Sequence, residues 1–339
     1  MQDTSECNEH FILKRLRDET VKTIKITWVG CHSEGESAFQ SLLEKGYKVT
    51  NFITLNDESF SRRSSGSRVY IELCEKYNIP ISLISTIKND ESYEVIKNAA
   101  PDLLIVLGWS EILPERLLDI PSIGTVGAHA AMLPHNRGSA PINWALIKDE
   151  KTCGNSLMWL DENVDEGKII DQIPFEITDY DTCKTLYEKV AVTNEQMILR
   201  LVDRLSKGLP TVMEKENITT EPLLPRRRPR DGLLNWSQNS RAIYNFIRAL
   251  TRPYPGAFTY LNGKRYMLWN VSLLPGEAIN DKAGKIIGNV YSPIEEACGI
   301  QIACGSGSII LHEVEDENGN IYKGKALANL RMEGEFANE

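Results

Sequence analysis

Apolar runs and amphipathic stretches alternate along the first third of the sequence, and this alternation limits the fold more than any other feature. Apolar runs with the length of buried strands occupy residues 22–30, 47–55, 79–85 and 102–108. Stretches with one apolar face, as in helices, occupy residues 33–46, 64–78 and 91–99. Strand, helix and strand in succession need crossover connections, so the sequence predicts an α/β domain with a parallel sheet and helices on both faces.

The second half of the chain changes character. A long helix is predicted at 182–208, followed by a polar, proline-containing segment and a helix at 237–252. Short strands then predominate, including a hairpin that turns at Asn262-Gly263, which favours a small β-barrel. The predicted organisation is a polar leader (1–20), a catalytic domain (21–208), a linker (209–235) and a C-terminal domain resembling an OB-fold barrel (236–339).

Composition excludes several classes of protein. The chain has 339 residues and a formal net charge of −9, so no global basic field draws it to nucleic acid or anionic lipid. Seven cysteines without CxxC spacing favour reduced thiols over a zinc site or a disulfide framework. The leader lacks an apolar core, and no run of about 18 apolar residues occurs, which predicts a cytoplasmic protein without a membrane span or a metal.

Chemistry is expected beyond the carboxyl ends of the strands, where ligands bind in such sheets. Neither GxGxxG nor GxxxxGK[ST] is present, so dinucleotide and P-loop sites are unsupported. His129 ends a predicted strand (124–130) and precedes the long turn "MLPHNRGSAP". A lone histidine is more often structural, but its small neighbours and its place in the fold make it a catalytic candidate.

An acidic turn, "LDENVDEG", follows the next apolar run and contains Asp161 and Asp165. Such a turn is often only a solvated loop. The functional alternative pairs Asp165 with His129, because a carboxylate fixes the tautomer of an imidazole and stabilises its charged form. The basic cluster "RRRPR" (226–230) also has two interpretations: it is either a solvated linker or an arm that contacts an anion.

The motifs together resemble the folate-dependent formyltransferases. "ILPERLLDIPSIGTVGAHAAMLPHNRGSAPINWALI" followed by "VDEGKII" is similar to the folate loop, the histidine motif and the aspartate motif of that family, in order. The resemblance covers most of the chain from about Thr23, and it implies a Rossmann-like catalytic domain. Residues 226–260 most resemble the N-formyltransferases that act on nucleotide-linked amino sugars in O-antigen and lipopolysaccharide biosynthesis.

The resemblance implies a formyl transfer from 10-formyltetrahydrofolate to the amine of a nucleotide-linked amino-dideoxy sugar, with the 4-amino group expected. His129 would stabilise the oxyanion or relay a proton, and Asp165 would orient His129. The residues implied to contact folate are Gly108, Trp109, Ser110, Ile112, Leu113, Pro114, Leu160 and Asp161. The residues implied to contact the sugar substrate are Met132, Pro134, Asn136, Arg137 and Gly138.

Gly127 departs from the family pattern. The family has Asn-x-His, and its asparagine donates to the formyl oxygen, whereas Gly127 has no side chain. Loss of one such donor typically costs on the order of 3 kcal/mol in barrier. Another donor, such as Ser110, Asn136, a backbone N–H or a water, could replace it; the chemistry could be hydrolysis of 10-formyltetrahydrofolate; or the chain could bind without catalysis.

The acceptor also has alternatives at this stage. Methionyl-tRNA formyltransferase shares the architecture, but an acidic chain suits tRNA less well, and the expectation is no nucleic acid and no membrane partner. The C-terminal domain carries 10 Lys/Arg against 12 Asp/Glu from Asp231 onward, a net of −2. The barrel and the "RRRPR" arm supply either substrate contacts or the interface of a homodimer.

Overall fold

The computed structural model describes residues 24–61, 66–213, 217–274, 281–330 and 332–337. The leader predicted at residues 1–20 lies outside these ranges. The chain divides into two compact units, which are described separately: the first comprises Met1–Gly138, Cys153–Phe175 and Tyr187–Leu223, and the second Ser139–Thr152, Glu176–Leu186 and Leu224–Glu339. In the part of the chain described here, no helix has both the length and the apolar character that a membrane span needs.

A seven-stranded sheet organises the first unit, in the order β3-β2-β1-β4-β5-β6-β7. The strands are β1 (Ile26–Val29), β2 (Val49–Leu55), β3 (Ile81–Ile84), β4 (Leu103–Val106), β5 (Gly124–His129), β6 (Thr152–Trp159) and β7 (Ile169–Glu176). Neighbours from β3 to β5 are parallel, as predicted, and the order reverses between β1 and β4. β6 runs antiparallel to β5, so the sheet is mixed rather than wholly parallel.

The predicted helices are present with somewhat different bounds, and two further short helices, at residues 57–60 and 141–147, were not predicted. The helices are α1 (Glu36–Glu44), α2 (Asp57–Phe60), α3 (Val69–Tyr77), α4 (Asp90–Ala99), α5 (Glu115–Leu118), α6 (Pro141–Ile147) and α7 (Cys183–Ser206). The helix α5 begins only at Glu115, because Pro114 before it is extended and occupies the N-cap position. The Asn89 side chain caps α4 by accepting a 2.9 Å hydrogen bond from the Ser92 N–H.

The two faces of the sheet bury different clusters of side chains. Trp28, Ile105 and Val126 belong to one cluster, with α1, α3 and α7. The other face buries Val29, Leu104, Val106 and Leu117. Since successive residues of a strand point to opposite faces, Thr125, Gly127 and His129 of β5 lie on this second face, opposite to Val126.

A buried amide connects β6 to α7. Asn155 is fully buried, and its Nδ2 donates to Asn194 Oδ1 at 2.7 Å and to Thr193 Oγ1 at 3.0 Å. Asn194 Nδ2 in turn donates to the Glu34 carbonyl at 2.8 Å, in the turn after β1. These bonds join β6, α7 and that turn through side chains that are buried.

The second unit contains an antiparallel sheet in a half-barrel, as expected for an OB-like domain. Its strands are β8 (Ala257–Leu261), β9 (Lys264–Leu274), β10 (Ile286–Val290), β11 (Gly299–Ala303), β12 (Ser308–Asp316), β13 (Ile321–Lys323) and β14 (Phe336–Ala337), and it includes α8 (Ser240–Leu250) and α9 (Gly324–Asn329). The hairpin predicted at Asn262-Gly263 is confirmed, since Leu261 pairs with Lys264 across that turn. Both turn residues have positive φ, 52° and 76°, as a two-residue hairpin turn requires.

Asn155→Ala is expected to lower the free energy of unfolding by about 1–3 kcal/mol, because the Asn194 acceptor would remain buried without its donor. Urea unfolding followed by circular dichroism measures the change. Asn163→Ala, at an exposed loop position, is the control and is expected within about 0.5 kcal/mol of the wild type. Equal stabilities of the two variants would contradict a role for this network.

Candidate active site

His129 lies at the carboxyl end of β5 and is 7% exposed. An oxygen lies near each nitrogen of its ring: the Asn136 carbonyl is 2.8 Å from Nε2, and Asp165 Oδ2 is 3.4 Å from Nδ1. Because a carbonyl only accepts, Nε2 carries the proton of the neutral ring. The other ring nitrogen, Nδ1, faces the Asp165 carboxylate.

Asp165 is held by contacts on both its side chain and its backbone. The Gly138 N–H donates to Asp165 Oδ2 at 2.8 Å, so one carboxylate oxygen faces both the histidine ring and the turn after β5. Asp165 has φ of 57°, in the left-handed region that aspartate tolerates better than most residues. The predicted pairing of His129 with Asp165 therefore corresponds to a short distance in the folded chain.

The acidic turn is fixed from two sides. Asn217 Nδ2 donates to the carbonyls of Asp165 and Gly167, each at 2.9 Å. A Cβ on Gly167 would lie 1.7 Å from the Trp159 carbonyl oxygen, so only glycine fits there. Sequence reasoning placed Asn217 in a linker and missed it, because nothing in the local pattern connects it to a turn about 50 positions earlier.

The Arg137 guanidinium contacts other groups of the protein from a buried position. Arg137 is 8% exposed, and its guanidinium forms an ion pair with Glu166 and donates to the Thr219 carbonyl at 3.4 Å. These bonds tie the turn after β5 to the acidic turn. A role of Arg137 in substrate binding stays a prediction, and it would have to be exerted from this buried position.

The other residues predicted for the substrate side form one compact turn. The Leu133-Pro134 peptide is cis, and the His135 N–H donates to the Met132 carbonyl at 3.1 Å. Asn136 has φ of 56°, which directs its carbonyl toward His129, and Gly138 has φ of 106°. The sequence predicted a turn here. It did not predict that a main-chain carbonyl of this turn would accept a hydrogen bond from His129 Nε2.

The residues predicted for folate binding are only partly together. Trp109, Leu113 and Leu160 pack in the cluster on the second face of the sheet, whereas Ile112 is 61% exposed. Gly108, with φ of 61°, approaches the His32 carbonyl so closely that a Cβ would lie 2.6 Å from that oxygen. Ser110 and Asp161 are exposed, and Pro114 precedes α5. Trp109 Nε1 is buried and has no hydrogen-bond partner among the described residues, so a donor is available to a bound ligand.

Gly127 lies beneath Leu160. A Cβ at position 127 would be 2.9 Å from Leu160 Cδ2, so the leucine side chain fills the space that a side chain would need. Ser156, which pairs with His129 across β5 and β6, has its hydroxyl engaged by the Leu133 N–H, the Gln172 amide and the Ala131 carbonyl. Ser156 is therefore not a free replacement for an amide donor beside His129.

Glu34 is a further polar group at the carboxyl edge of β1, in a single 3-10 turn (Ser33–Gly35) that sequence reasoning did not single out. Its Oε2 is buried and has no hydrogen-bond partner among the described residues. Burial raises the pKa of this carboxyl to about 6, and repulsion from Glu36 adds to the effect, while a backbone hydrogen bond opposes it.

Two family models match the chain. The model described as Formyl transferase matches residues 31–202, and that of the Formyl transferase C-terminal domain matches residues 227–331. Methionyl-tRNA formyltransferase of Geotalea uraniireducens is 30% identical over 311 residues, which cover 91% of this chain and 96% of that protein. The bifunctional polymyxin resistance protein ArnA of Wigglesworthia glossinidia brevipalpis is 32% identical over 269 residues, 76% of this chain and 40% of that protein.

Among solved structures, an N-formyltransferase from Helicobacter canadensis, in complex with folinic acid and dTDP-3-aminofucose, has a TM-score of 0.60. It is 19% identical and covers 85% of this chain and 99% of its own. At this identity the likeness concerns the fold.

Glu34→Gln is expected to change how stability depends on pH. The pKa of the carboxyl is raised from 4.5 to about 6 in the folded state. The stabilisation that the folded protein gains from the protonated carboxyl is therefore complete below about pH 4.5 and is lost as pH rises through about 6. The wild type should thus lose about 2 kcal/mol of unfolding free energy over this interval relative to Glu34→Gln. Urea unfolding at pH 4.5 and pH 7 measures both proteins, and parallel pH profiles would contradict the assignment.

Proposed function

The chain belongs to the formyl transferase family, and from that premise we propose that it transfers a formyl group from 10-formyltetrahydrofolate to the amine of a nucleotide-linked amino-dideoxy sugar. The observation that carries the proposal is the His129–Asp165 pair at the carboxyl edge of the sheet, beside the cluster that contains Trp109, Leu113 and Leu160. A formyl carbonyl bound between the pair and the cluster would meet a proton donor on one side and hydrocarbon on the other.

The residues on this edge suit a folate cosubstrate. Trp109, Leu113 and Leu160 offer an apolar wall to a flat ring, and the buried Trp109 Nε1 offers a donor that no described residue uses. The main chain of the Gly108–Pro114 loop carries further donors and acceptors. When bound, 10-formyltetrahydrofolate supplies the formyl group that the acceptor amine receives.

His129 is proposed to stabilise the negative charge that develops on the formyl oxygen. Its Nε2–H points at the Asn136 carbonyl, and a formyl oxygen that replaced this carbonyl would accept the same proton. When Nδ1 also carries a proton, the Asp165 carboxylate beside it would orient the ring and stabilise its positive charge, while the Gly138 N–H keeps Asp165 in place. The attacking amine must be neutral, and the proton that it releases after attack would pass to His129 or to water.

Three observations support an amino-sugar acceptor. The net charge is −9, which is a poor starting point for binding a polyanion. The structural neighbour from Helicobacter canadensis carries a dTDP-linked amino sugar, and the relative ArnA is named for polymyxin resistance rather than for tRNA. These are the grounds for placing the reaction in cell-surface glycan synthesis, for example of O-antigen or lipopolysaccharide.

The arginine-rich arm also fits a small acceptor better than an RNA backbone. The Arg227 guanidinium packs over the rings of Trp144 and Phe246, at 5.1 and 5.3 Å from their centroids, and donates to the Asp231 carbonyl at 2.6 Å. Asp231 also accepts from the Arg228 N–H at 2.7 Å. Part of the arm is therefore engaged within its own unit, which weakens it as a phosphate-binding surface.

Methionyl-tRNA is the second candidate acceptor, because the methionyl-tRNA formyltransferase of Geotalea uraniireducens matches nearly the whole chain. The two acceptors are distinguished by incubating the protein with 10-formyltetrahydrofolate and either methionylated initiator tRNA or a panel of dTDP-, UDP- and GDP-linked amino sugars. Product masses identify the acceptor. Formylation of the tRNA alone, with binding that weakens steeply as salt rises, would overturn the sugar proposal.

Asp165→Asn is expected to lower kcat for formyl transfer by about 10²- to 10⁴-fold, since the amide removes the charge that orients and stabilises protonated His129. Initial rates at saturating acceptor measure the change. Glu162→Gln, an exposed change in the same turn, is the control and should turn over like the wild type. Undiminished turnover by both Asp165→Asn and His129→Ala would exclude the pair from catalysis.

A further inference from the structure

We propose that Leu160, seated on Gly127, forms a hydrocarbon seal beside His129 that keeps water from the formyl carbon and so reserves the formyl group for the amine. This inference rests on the proposed function, because it assigns a specificity-determining residue to that same site. At the position of Gly127 the family has an asparagine, whose amide would offer hydrogen bonds to water. In this chain the space is filled by the Leu160 side chain, which offers none.

The strand register shows that the sheet is apolar at the level of Gly127. Val106 of β4 and Met158 of β6 are the cross-strand partners of Gly127, and they are 8% and 3% exposed. The Leu160 side chain covers Gly127, and its Cδ2 atom is 2.9 Å from the position that a Cβ on residue 127 would take. The next side chain with a polar atom toward the amino end of β5 is Thr125, about 7 Å further along the strand.

Leu160 is anchored where it can act as a seal. Its N–H donates to the Thr125 carbonyl at 2.8 Å, so its backbone is bound to β5 although it follows β6 in the chain. Its side chain packs against two clusters, the one that includes Leu113 and Trp109 and a smaller one of Leu133, Met158 and Ile169. Leu160 is only partly buried, so part of its side chain remains available to line the cleft.

Water and amine compete for the same carbon. In hydrolysis the oxygen of water bonds to the formyl carbon, the bond to the folate nitrogen breaks, that nitrogen takes up a proton, and formate leaves with its remaining proton released to solvent. In transfer the amine nitrogen bonds to the formyl carbon and loses one proton, the bond from that carbon to the folate nitrogen breaks, and the folate nitrogen takes up a proton. An ordered water needs two to four polar partners, and the side chains of Val106, Met158 and Leu160, which surround Gly127, carry no nitrogen or oxygen for it. A tethered amine needs none, because the rest of the acceptor positions it.

Two variants of Leu160 test the seal in complementary ways. Leu160→Ala opens a space above Gly127, and Leu160→Asn keeps the shape of leucine but adds an amide that can hold a water. Both are expected to raise the release of formate and tetrahydrofolate in the absence of amine by about 5- to 30-fold, the range that 1–2 kcal/mol of added stabilisation of a water provides.

Leu118→Ala is the matched control, because Leu118 is partly buried and packs against the same cluster as Leu160 but lies in α5 rather than over Gly127. It should leave the rate of hydrolysis unchanged. Binding of 5-formyltetrahydrofolate, followed by quenching of tryptophan fluorescence, is measured for every variant. Because Leu160 also belongs to the apolar wall proposed for the folate ring, the rates of hydrolysis are compared at a saturating concentration of 10-formyltetrahydrofolate for each variant.

The outcomes separate the seal from the proposed function. Wild-type transfer to a nucleotide-linked amino sugar with unchanged hydrolysis in Leu160→Ala and Leu160→Asn would overturn the seal and leave the proposed function in place. Fast hydrolysis by the wild type without amine would also overturn the seal. If the wild type formylates no such sugar, the proposed function is wrong. This experiment on the wild type is done before any variant is compared. Raised hydrolysis in both variants, with the control at the wild-type level, supports the seal.

Discussion

The Asp165 carboxylate is the contact on which the arrangement of the site depends. One of its oxygens accepts from the Gly138 N–H at 2.8 Å and faces His129 Nδ1 at 3.4 Å, so a single atom links the turn after β5, the turn after β6 and the histidine. The backbone of Asp165 is held by Asn217, and its neighbour Glu166 is paired with Arg137. Local order around the histidine therefore comes from contacts between segments far apart in sequence.

Buried polar groups of the first unit are divided between two uses. Ser156 and Asn155, on β6, are bonded to main chain and to other side chains, and they hold the sheet to its neighbouring loops. Trp109 Nε1 and Glu34 Oε2 are buried without a described partner, at the carboxyl edge where ligands of such sheets bind. An unpaired buried donor or acceptor costs stability, and a ligand that pairs with it recovers this cost on binding.

In the second unit, local structure is set by a hairpin turn, a helix cap and a buried arginine. Its hairpin is set by the positive φ of Asn262 and Gly263, and α8 begins where the Asn239 side chain accepts from the Ala242 N–H at 2.8 Å. Arg248 is buried within this unit and donates to the carbonyls of Thr178 and Asp181 at 2.7 and 2.9 Å. Burial lowers the pKa of the Arg248 guanidinium, and the nearby Tyr244 and Asp179 oppose that effect.

Most strands and the longer helices could be predicted from local pattern, because periodicity, caps and turn residues act over a few positions, whereas the short helices α2 and α6 were not predicted. Thus the strands from β1 to β5, the hairpin at Asn262-Gly263 and the position of His129 at a strand end all follow from local pattern. Only the tertiary structure decided the reversal of β6, the contact of Asn217 with the acidic turn and the packing of Leu160 on Gly127. The physical reason is that these contacts depend on the path of the chain between distant segments, and no local pattern of side chains encodes that path.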